Sequence, residues 1–238
     1  MVEKIELGEI AVDVIRKDIK NVHLSVYPPT GKVRISAPSR LSLNTIRTFA
    51  VSKIVWIKKQ QMKQRSQARE TPREYIDRES HYLWGKRYLL KLIEKDAPPQ
   101  VEIAHNHLVL QVRPGTSVSK RQALLDAWYR ERLKSAVPEI VAKWEKILNV
   151  RVTAFFVQRM KTKWGSCTVE ARHIRLNTDL ARKPMECLEY VVAHELTHLH
   201  ERRHNDRFTS IMDQVLPQWR SLRQQLNSAP LPHHNWTY

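Results

Sequence analysis

Tyr190-Val191-Val192-Ala193-His194-Glu195-Leu196-Thr197-His198-Leu199 is the stretch from which the rest of this 238-residue chain is best read. It places an H-E-x-x-H pattern inside an apolar run. Four residues are a little more than one helical turn, so in a helix His194 and His198 share one face. Two imidazoles stacked in that way can bind one zinc ion, and Glu195, about 100° further round, can reach a metal-bound water. A catalytic zinc keeps three protein ligands and one open position, so a third ligand is required. His204, six residues after His198, is the favoured candidate. Glu201 is the alternative: it lies on the His194/His198 face, but about one turn beyond His198. His200 falls on the far side of the helix. For His204 to reach back, the chain must turn at about Glu201 to Arg203, where no Gly stands; Asn205 and Asp206 tolerate turn geometry. Four of the eleven histidines fall within residues 194–204, and such polar rings among apolar neighbours need partners.

The elements around this helix follow from periodicity. Pro184 suits its first turn, and it is expected to run to about Glu201. Ahead of it, Val150 to Gln158 alternates as a strand, Lys163 to Cys167 reads as a strand or tight turn, and His173 to Leu176 as a further strand. A long helix from about Lys120 to Leu148, capped by Ser117 or Ser119, shows Leu125, Trp128, Leu133, Val141 and Trp144 on one side; Pro138 should kink or divide it. Residues 206–216 and 217–226 read as closing helices. Upstream, residues 81–94 form a hairpin round Gly85-Lys86, and 101–103 pairs with 108–112. The first forty residues alternate as strands. Ser42 then caps a long basic helix carrying Ile46, Phe49, Ile54, Ile57 and Met62, with Trp56 taken as core. The expected class is α+β. Pro114-Gly115-Thr116 marks the expected boundary between a β-rich N-terminal region, 1–115, and a compact metal-binding domain, 116–238.

The net charge is +17. Residues 42–73 hold Arg47, Lys53, Lys58, Lys59, Lys63, Arg65, Arg69 and Arg73 against one acid, Glu70. Such a stretch favours polyanions, and DNA or RNA is the expected partner class. A solvated basic helix face is the competing reading, and charge alone does not separate the two. No apolar run approaches the about 20 residues that span a bilayer, and the N-terminus lacks a signal-peptide core. The two cysteines, Cys167 and Cys187, match no C-x-x-C pattern and read as reduced thiols, so a cytoplasmic protein is expected.

Several stretches together resemble a known family: Lys161-Thr162-Lys163-Trp164-Gly165-Ser166-Cys167, Ile174-Arg175-Leu176-Asn177, the run from Tyr190 to Leu199, His204 and Phe208. Tyr82-Leu83-Trp84-Gly85-Lys86 and the Val22 to Pro38 hairpin add to it. The chain resembles the YgjP-like metal-dependent hydrolases, related to SprT-like and other zincin peptidases. The resemblance covers nearly the whole chain. It implies a zincin-like unit from about 120 to 230, with a supporting helix, a small sheet and then the metal helix. It also implies one zinc per chain on His194, His198 and His204. Asn205 departs from the family, which often has Ser there, and this should change a cap rather than the metal.

The expected function is zinc-dependent hydrolysis of a peptide bond, with Glu195 activating the water. Lys163 could polarise a substrate oxygen, and Tyr190 could donate to an oxyanion or be core. Trp164 and Ser166 could line the cleft, or Trp164 could simply pack beneath the metal helix. Two alternatives remain. One is metal-dependent phosphoanhydride or phosphoester hydrolysis, which lacks a P-loop or a carboxylate-rich two-metal cluster. The other is a nucleic-acid-binding protein with a structural zinc, which a fourth protein ligand would signal.

Overall fold

The computed structural model describes residues 2–27, 30–66, 73–160 and 163–228. The Pro28-Pro29 turn, Arg69, Lys161-Thr162 and the tail with His233-His234 lie outside them, as does the side chain of Lys63. The chain forms two compact units, residues 1–68 and 69–238.

In the first unit, β1 (Val2–Leu7) and β2 (Ile10–Lys17) form an antiparallel hairpin. Its tight turn uses Gly8 at φ +62, a left-handed conformation that costs glycine little. β3 (His23–Tyr27) and β4 (Lys32–Pro38) form a second hairpin, and β4 joins β2 in parallel, giving the order β1-β2-β4-β3. Alternation sends Val12, Val14, Val33 and Ile35 to one buried layer, where they meet Ile46, Ala50 and Ile57.

Those three residues come from two helices where the sequence suggested one. α1 (Leu43–Ser52) starts on Ser42, whose hydroxyl accepts from the Thr45 N–H. It stops at Lys53, whose N–H turns back to the Ala50 carbonyl at 3.1 Å, and α2 (Ile54–Ser66) follows at once. Ile46, Ala50 and Ile57 pack in one core cluster with the sheet across this break. Met62 is 71% exposed and Trp56 43% exposed, so neither is the core residue that the helical pattern suggested. A cleft of about 780 Å³ in this unit is lined by Glu6, Glu9, Arg47, Lys58, Met62 and Arg65 among others, and contains none of the histidines discussed above.

The second unit opens with β5 (Ser80–Leu83), β6 (Lys86–Glu94), β7 (Gln100–Ala104) and β8 (His107–Val112), in the order β5-β6-β8-β7. Then come α3 (Val118–Leu148), β9 (Ala154–Gln158), β10 (Gly165–Thr168), β11 (His173–Asn177) and a 3-10 turn over Thr178–Arg182. The chain closes with α4 (Met185–Thr197), α5 (Asp206–Val215) and α6 (Trp219–Ser228). The three-stranded sheet has the order β10-β11-β9, with β10 antiparallel at one edge.

One core serves this whole unit. Leu90, Leu108 and Leu110 from the four-stranded sheet pack in the same cluster as Leu125, Trp144, Leu188 and Leu196. Pro114-Gly115-Thr116 is therefore a turn inside a unit, and the division by packing falls at 68/69 rather than 115/116. α3 runs unbroken through Pro138, which is exposed, so the backbone hydrogen bond its ring forgoes is lost on the solvent side. The β5–β6 turn braces the start of α4. Trp84 N–H donates to the Ala181 carbonyl at 2.8 Å, and a β-carbon at Gly85 would lie 3.0 Å from the Pro184 ring. Arg73, part of the basic stretch in sequence, pairs here with Glu79 at 3.2 Å. Among the described residues, no helix is long and apolar enough to cross a membrane.

Candidate metal centre

α4 is apolar enough to be buried on most of its surface: Leu188, Val191, Val192, Ala193 and Leu196 are inaccessible or nearly so. Pro184 precedes it in extended geometry, and Glu186 sits in its first turn, where a carboxylate suits the helix dipole. His194 and His198 fall one turn apart with ring centroids at 5.0 Å. The helix ends at Thr197, earlier than the Glu201 expected from sequence. The Thr197 hydroxyl donates to the Ala193 carbonyl at 2.8 Å, and residues 198–200 form a turn. His200 points away, its Nε2 donating to the Leu148 carbonyl at the end of α3, at 2.7 Å.

That early stop lets His204 return. No residue from 198 to 206 has positive φ, so the turn works without glycine. Asn205 then caps α5, its side-chain oxygen accepting from the Phe208 N–H at 3.1 Å. The Asn that replaces the family's Ser thus has a capping role. Phe208, 1% exposed, forms a platform: its ring centroid lies 4.9, 4.9 and 4.8 Å from those of His194, His198 and His204.

The coordinating nitrogens of the three histidines lie within 4.8 Å of one another, and the Nε2 atoms of His194 and His204 are 2.9 Å apart. Tetrahedral zinc with Zn–N distances of about 2.0–2.1 Å separates its nitrogens by about 3.3 Å. The cluster matches that spacing with small side-chain adjustments. His198 Nδ1 faces the Glu201 carbonyl at 3.1 Å. A carbonyl only accepts, so Nδ1 carries the proton and Nε2 keeps its lone pair, as a metal ligand needs. Burial and the neighbouring imidazoles push His194 down to about 3. Burial also lowers His198 and His204. All three are therefore neutral donors at neutral pH. The Glu201 carboxylate accepts from the Arg203 N–H at 3.1 Å instead of joining them.

Glu195 lies 6% exposed beside the cluster. Burial pushes its carboxyl up to about 8, with Lys163 acting in the opposite sense. Its neighbour is β10. A β-carbon on Gly165 would fall 2.6 Å from Glu195 Oε1 and 2.9 Å from Val191 Cγ1. Only glycine lets the strand pass this close. Asn177 holds the approach to that strand: its amide donates to the Met160 and Lys163 carbonyls, both at 2.9 Å, and its oxygen accepts from the Asp179 N–H.

The remaining sequence candidates divide. Trp164 is half-buried against the core, as the packing alternative required. Tyr190 is 5% exposed and stacks on Trp219 at 6.5 Å, which makes it a core residue. Burial and then Glu195 push the Cys167 thiol up to about 11, so it is protonated and stands outside the histidine cluster. Lys163 is exposed and close enough to act electrostatically on Glu195, His198 and His204. Gly165, Phe208 and Asn177 were legible only as parts of the resemblance or of a tight backbone, and sequence reasoning gave them no part in placing Glu195 or the histidines. For Gly165 a signal existed, since an isolated Gly in a strand often marks a close backbone approach.

A family model for the YgjP-like metallopeptidase domain matches residues 20–229. Among solved structures, the chain is similar to the metallopeptidase zymogen of Pyrococcus abyssi abylysin, at 18% identity over 38% of this chain and 90% of that one, with TM-score 0.36. It is also similar to the metallopeptidase zymogen of Methanocaldococcus jannaschii jannalysin, at 21% identity over 38% and 86%, with TM-score 0.34. No curated protein matches. With the family model spanning nearly the whole chain, this protein belongs to the YgjP-like family of metallopeptidase domains.

Proposed function

We propose that this chain is a zinc-dependent peptidase whose metal is held by His194, His198 and His204, one ion per chain, with Glu195 as general base. The observation that carries this reading is the convergence of three neutral imidazoles beside one buried carboxylate. Among the described residues no fourth ligand joins the three, which favours a catalytic over a structural site. Zinc bound there supplies a Lewis acid for the scissile carbonyl and lowers the pKa of water to about 7. Glu195 takes a proton from the attacking water as its oxygen adds to the carbonyl carbon. It then gives that proton to the amine nitrogen as the C–N bond breaks. Among the described residues no strand pairs with the outer edge of β10 next to this carboxylate, so an extended peptide can add to it as a strand and present its amide to Glu195.

Three substitutions test this. His204→Ala should weaken zinc retention, measured by elemental analysis after dialysis, by more than the about 10- to 100-fold that losing an outer-shell partner costs; unchanged retention rejects His204. Glu195→Gln should keep zinc and lose about 10²–10⁴ in peptide hydrolysis, since Gln cannot take the proton. Full turnover in that variant would sink the base assignment. Gly165→Ala should cost about 1–3 kcal/mol of stability through overpacking, and about a hundredfold in turnover through displacement of Glu195. Wild-type denaturation and wild-type kinetics in Gly165→Ala would show that the close approach is unimportant.

A partner for the first unit is proposed on separate grounds. α1 and α2 contain no acid, and Arg47, Lys53, Lys58, Lys59 and Arg65 are exposed beside a partly exposed Trp56. Cations with an aromatic suit a nucleic-acid backbone and its bases. Weak, sequence-tolerant binding to duplex DNA should fall with salt, with a log–log slope of about −0.9 per phosphate contact. Replacing Arg47, Lys58, Lys59 and Arg65 by Gln should flatten that slope and leave zinc content unchanged. An unaltered titration would mark the helices as a solvated face.

A further inference from the structure

The connection from β9 to β10 leads into Gly165, where the strand passes Glu195 without room for a β-carbon. It is held from two sides. On one side stands Asn177, at the end of β11. Its amide takes the Met160 and Lys163 carbonyls, each at 2.9 Å, and its backbone N–H donates to the Trp164 carbonyl, also at 2.9 Å. On the other side stands α3. Arg159, the first residue after β9, donates through Nη2 to Asp126 Oδ2 of that helix at 2.6 Å.

The two holds belong to one circuit. The second oxygen of Asp126, Oδ1, accepts from Arg182 Nη2 at 3.3 Å. Arg182 Nη1 donates to Asp179 Oδ1 at 2.8 Å, and the Asp179 N–H donates to Asn177 Oδ1 at 3.2 Å. From Asn177 the circuit returns to the β9–β10 connection. Asp126 is its junction, with one carboxylate oxygen for each guanidinium. Asn177, Asp179 and Arg182 are all buried, and the Arg182 guanidinium lies on the Tyr129 ring of α3 at 4.5 Å. None of these residues belongs to the histidine cluster, whose members stand on α4 and in the turn after it.

We propose that Asp126 is a positioning residue for hydrolysis: through Arg159 and Arg182 it fixes the edge strand β10 against Glu195. This role rests on the peptidase reading above. Buried ion networks add little net stability over apolar side chains of the same volume. What they add is direction, because charge-assisted bonds to a planar guanidinium hold only over a narrow range of geometry. Direction matters at β10. With no β-carbon between strand and carboxylate, a small slip of β10 moves the strand edge where a peptide would add, or Glu195, or both. A misplacement of about 1 Å at a reacting group costs about a hundredfold in rate.

The test uses the full-length, zinc-loaded chain. Arg159→Gln opens the circuit at its exposed arm and leaves Arg182 paired with Asp126 and Asp179. An exposed pair contributes little to stability, so this variant should keep its zinc and unfold close to wild type. It should still lose about ten- to a hundredfold in kcat/KM on an extended peptide. Its β10 amides should exchange hydrogen faster, while those of α4 stay as in wild type. Arg159→Lys should recover part of the loss. Asp126→Asn should show the same loss, and adding Arg159→Gln to it should cost little more, because both open one circuit. Wild-type kcat/KM and wild-type exchange in Arg159→Gln overturn the proposal. So do losses that simply multiply in the double variant, since the two residues would then act separately. Should Asp126→Asn fail to fold, Arg159→Gln and Arg159→Lys decide. Failure of the peptidase reading is seen separately, as absence of cleavage by zinc-loaded wild-type protein; exchange at β10 then still decides whether Asp126 holds that strand.

Discussion

Strand β10 and helix α4 lie so close that the space between them admits no β-carbon at residue 165. The two segments are thirty residues apart in sequence, and their meeting sets where Glu195 stands. Several independent contacts enforce it. β11 pairs with β10 through four residues, and its last residue, Asn177, holds the Met160 and Lys163 carbonyls ahead of β10. The other end of α4 is braced by the β5–β6 turn through Trp84 and Gly85. The long helix α3 supplies the apolar bed, with Trp144, Leu133 and Leu125 fully or almost fully buried. A buried carboxylate costs several kcal/mol unless it is neutralised or given a partner. Glu195 is held there all the same, its carboxyl raised to about 8 by burial, a local conflict consistent with the base role proposed for it.

The histidines have the complementary arrangement. Their rings rest on Phe208, and burial lowers their proton affinity. They are ready as neutral donors, so a cation entering the cluster displaces few protons. The same cation would draw the Glu195 carboxyl back down by simple attraction, returning the charge that the proposed base needs and that burial alone suppresses. The proposed base and ligands would thus be coupled through charge, although among the described residues no hydrogen bond joins them.

Much of this site could be read from the chain because its information is local. His194 and His198 follow from helical spacing, and His204 from nearness in sequence. The strands of both units follow from alternation. What could not be read is tertiary. No Gly or Pro marks the break at Lys53, and Ile46, Ala50 and Ile57, at i, i+4 and i+11, would share a face of one straight helix, so nothing in the pattern called for it. Trp56 looked like core on pattern, yet it faces solvent. Pro114-Gly115-Thr116 looked like a boundary because it is a strong turn, but whether a turn separates domains depends on whether cores merge across it. Here Leu110 and Leu125 share one. Pro138 broke nothing because its ring faces water.

The net charge of +17 says less than the way its cations are placed. Residues 1–68 carry thirteen Lys and Arg against five acids, and their helices α1 and α2 carry no acid at all. In the second unit many cations are committed to the fold: Arg182 lies against the Tyr129 ring at 4.5 Å and pairs with two aspartates, and Arg73 is tied to Glu79. Such pairs stabilise chiefly by sparing each other an uncompensated burial, and they are not available to a ligand. Arg47, Lys58 and Lys59 of the first unit are the opposite case, exposed on helices that carry no acid. A charge with a folding partner is already satisfied. A charge left exposed without one gains most from whatever anion next excludes its water.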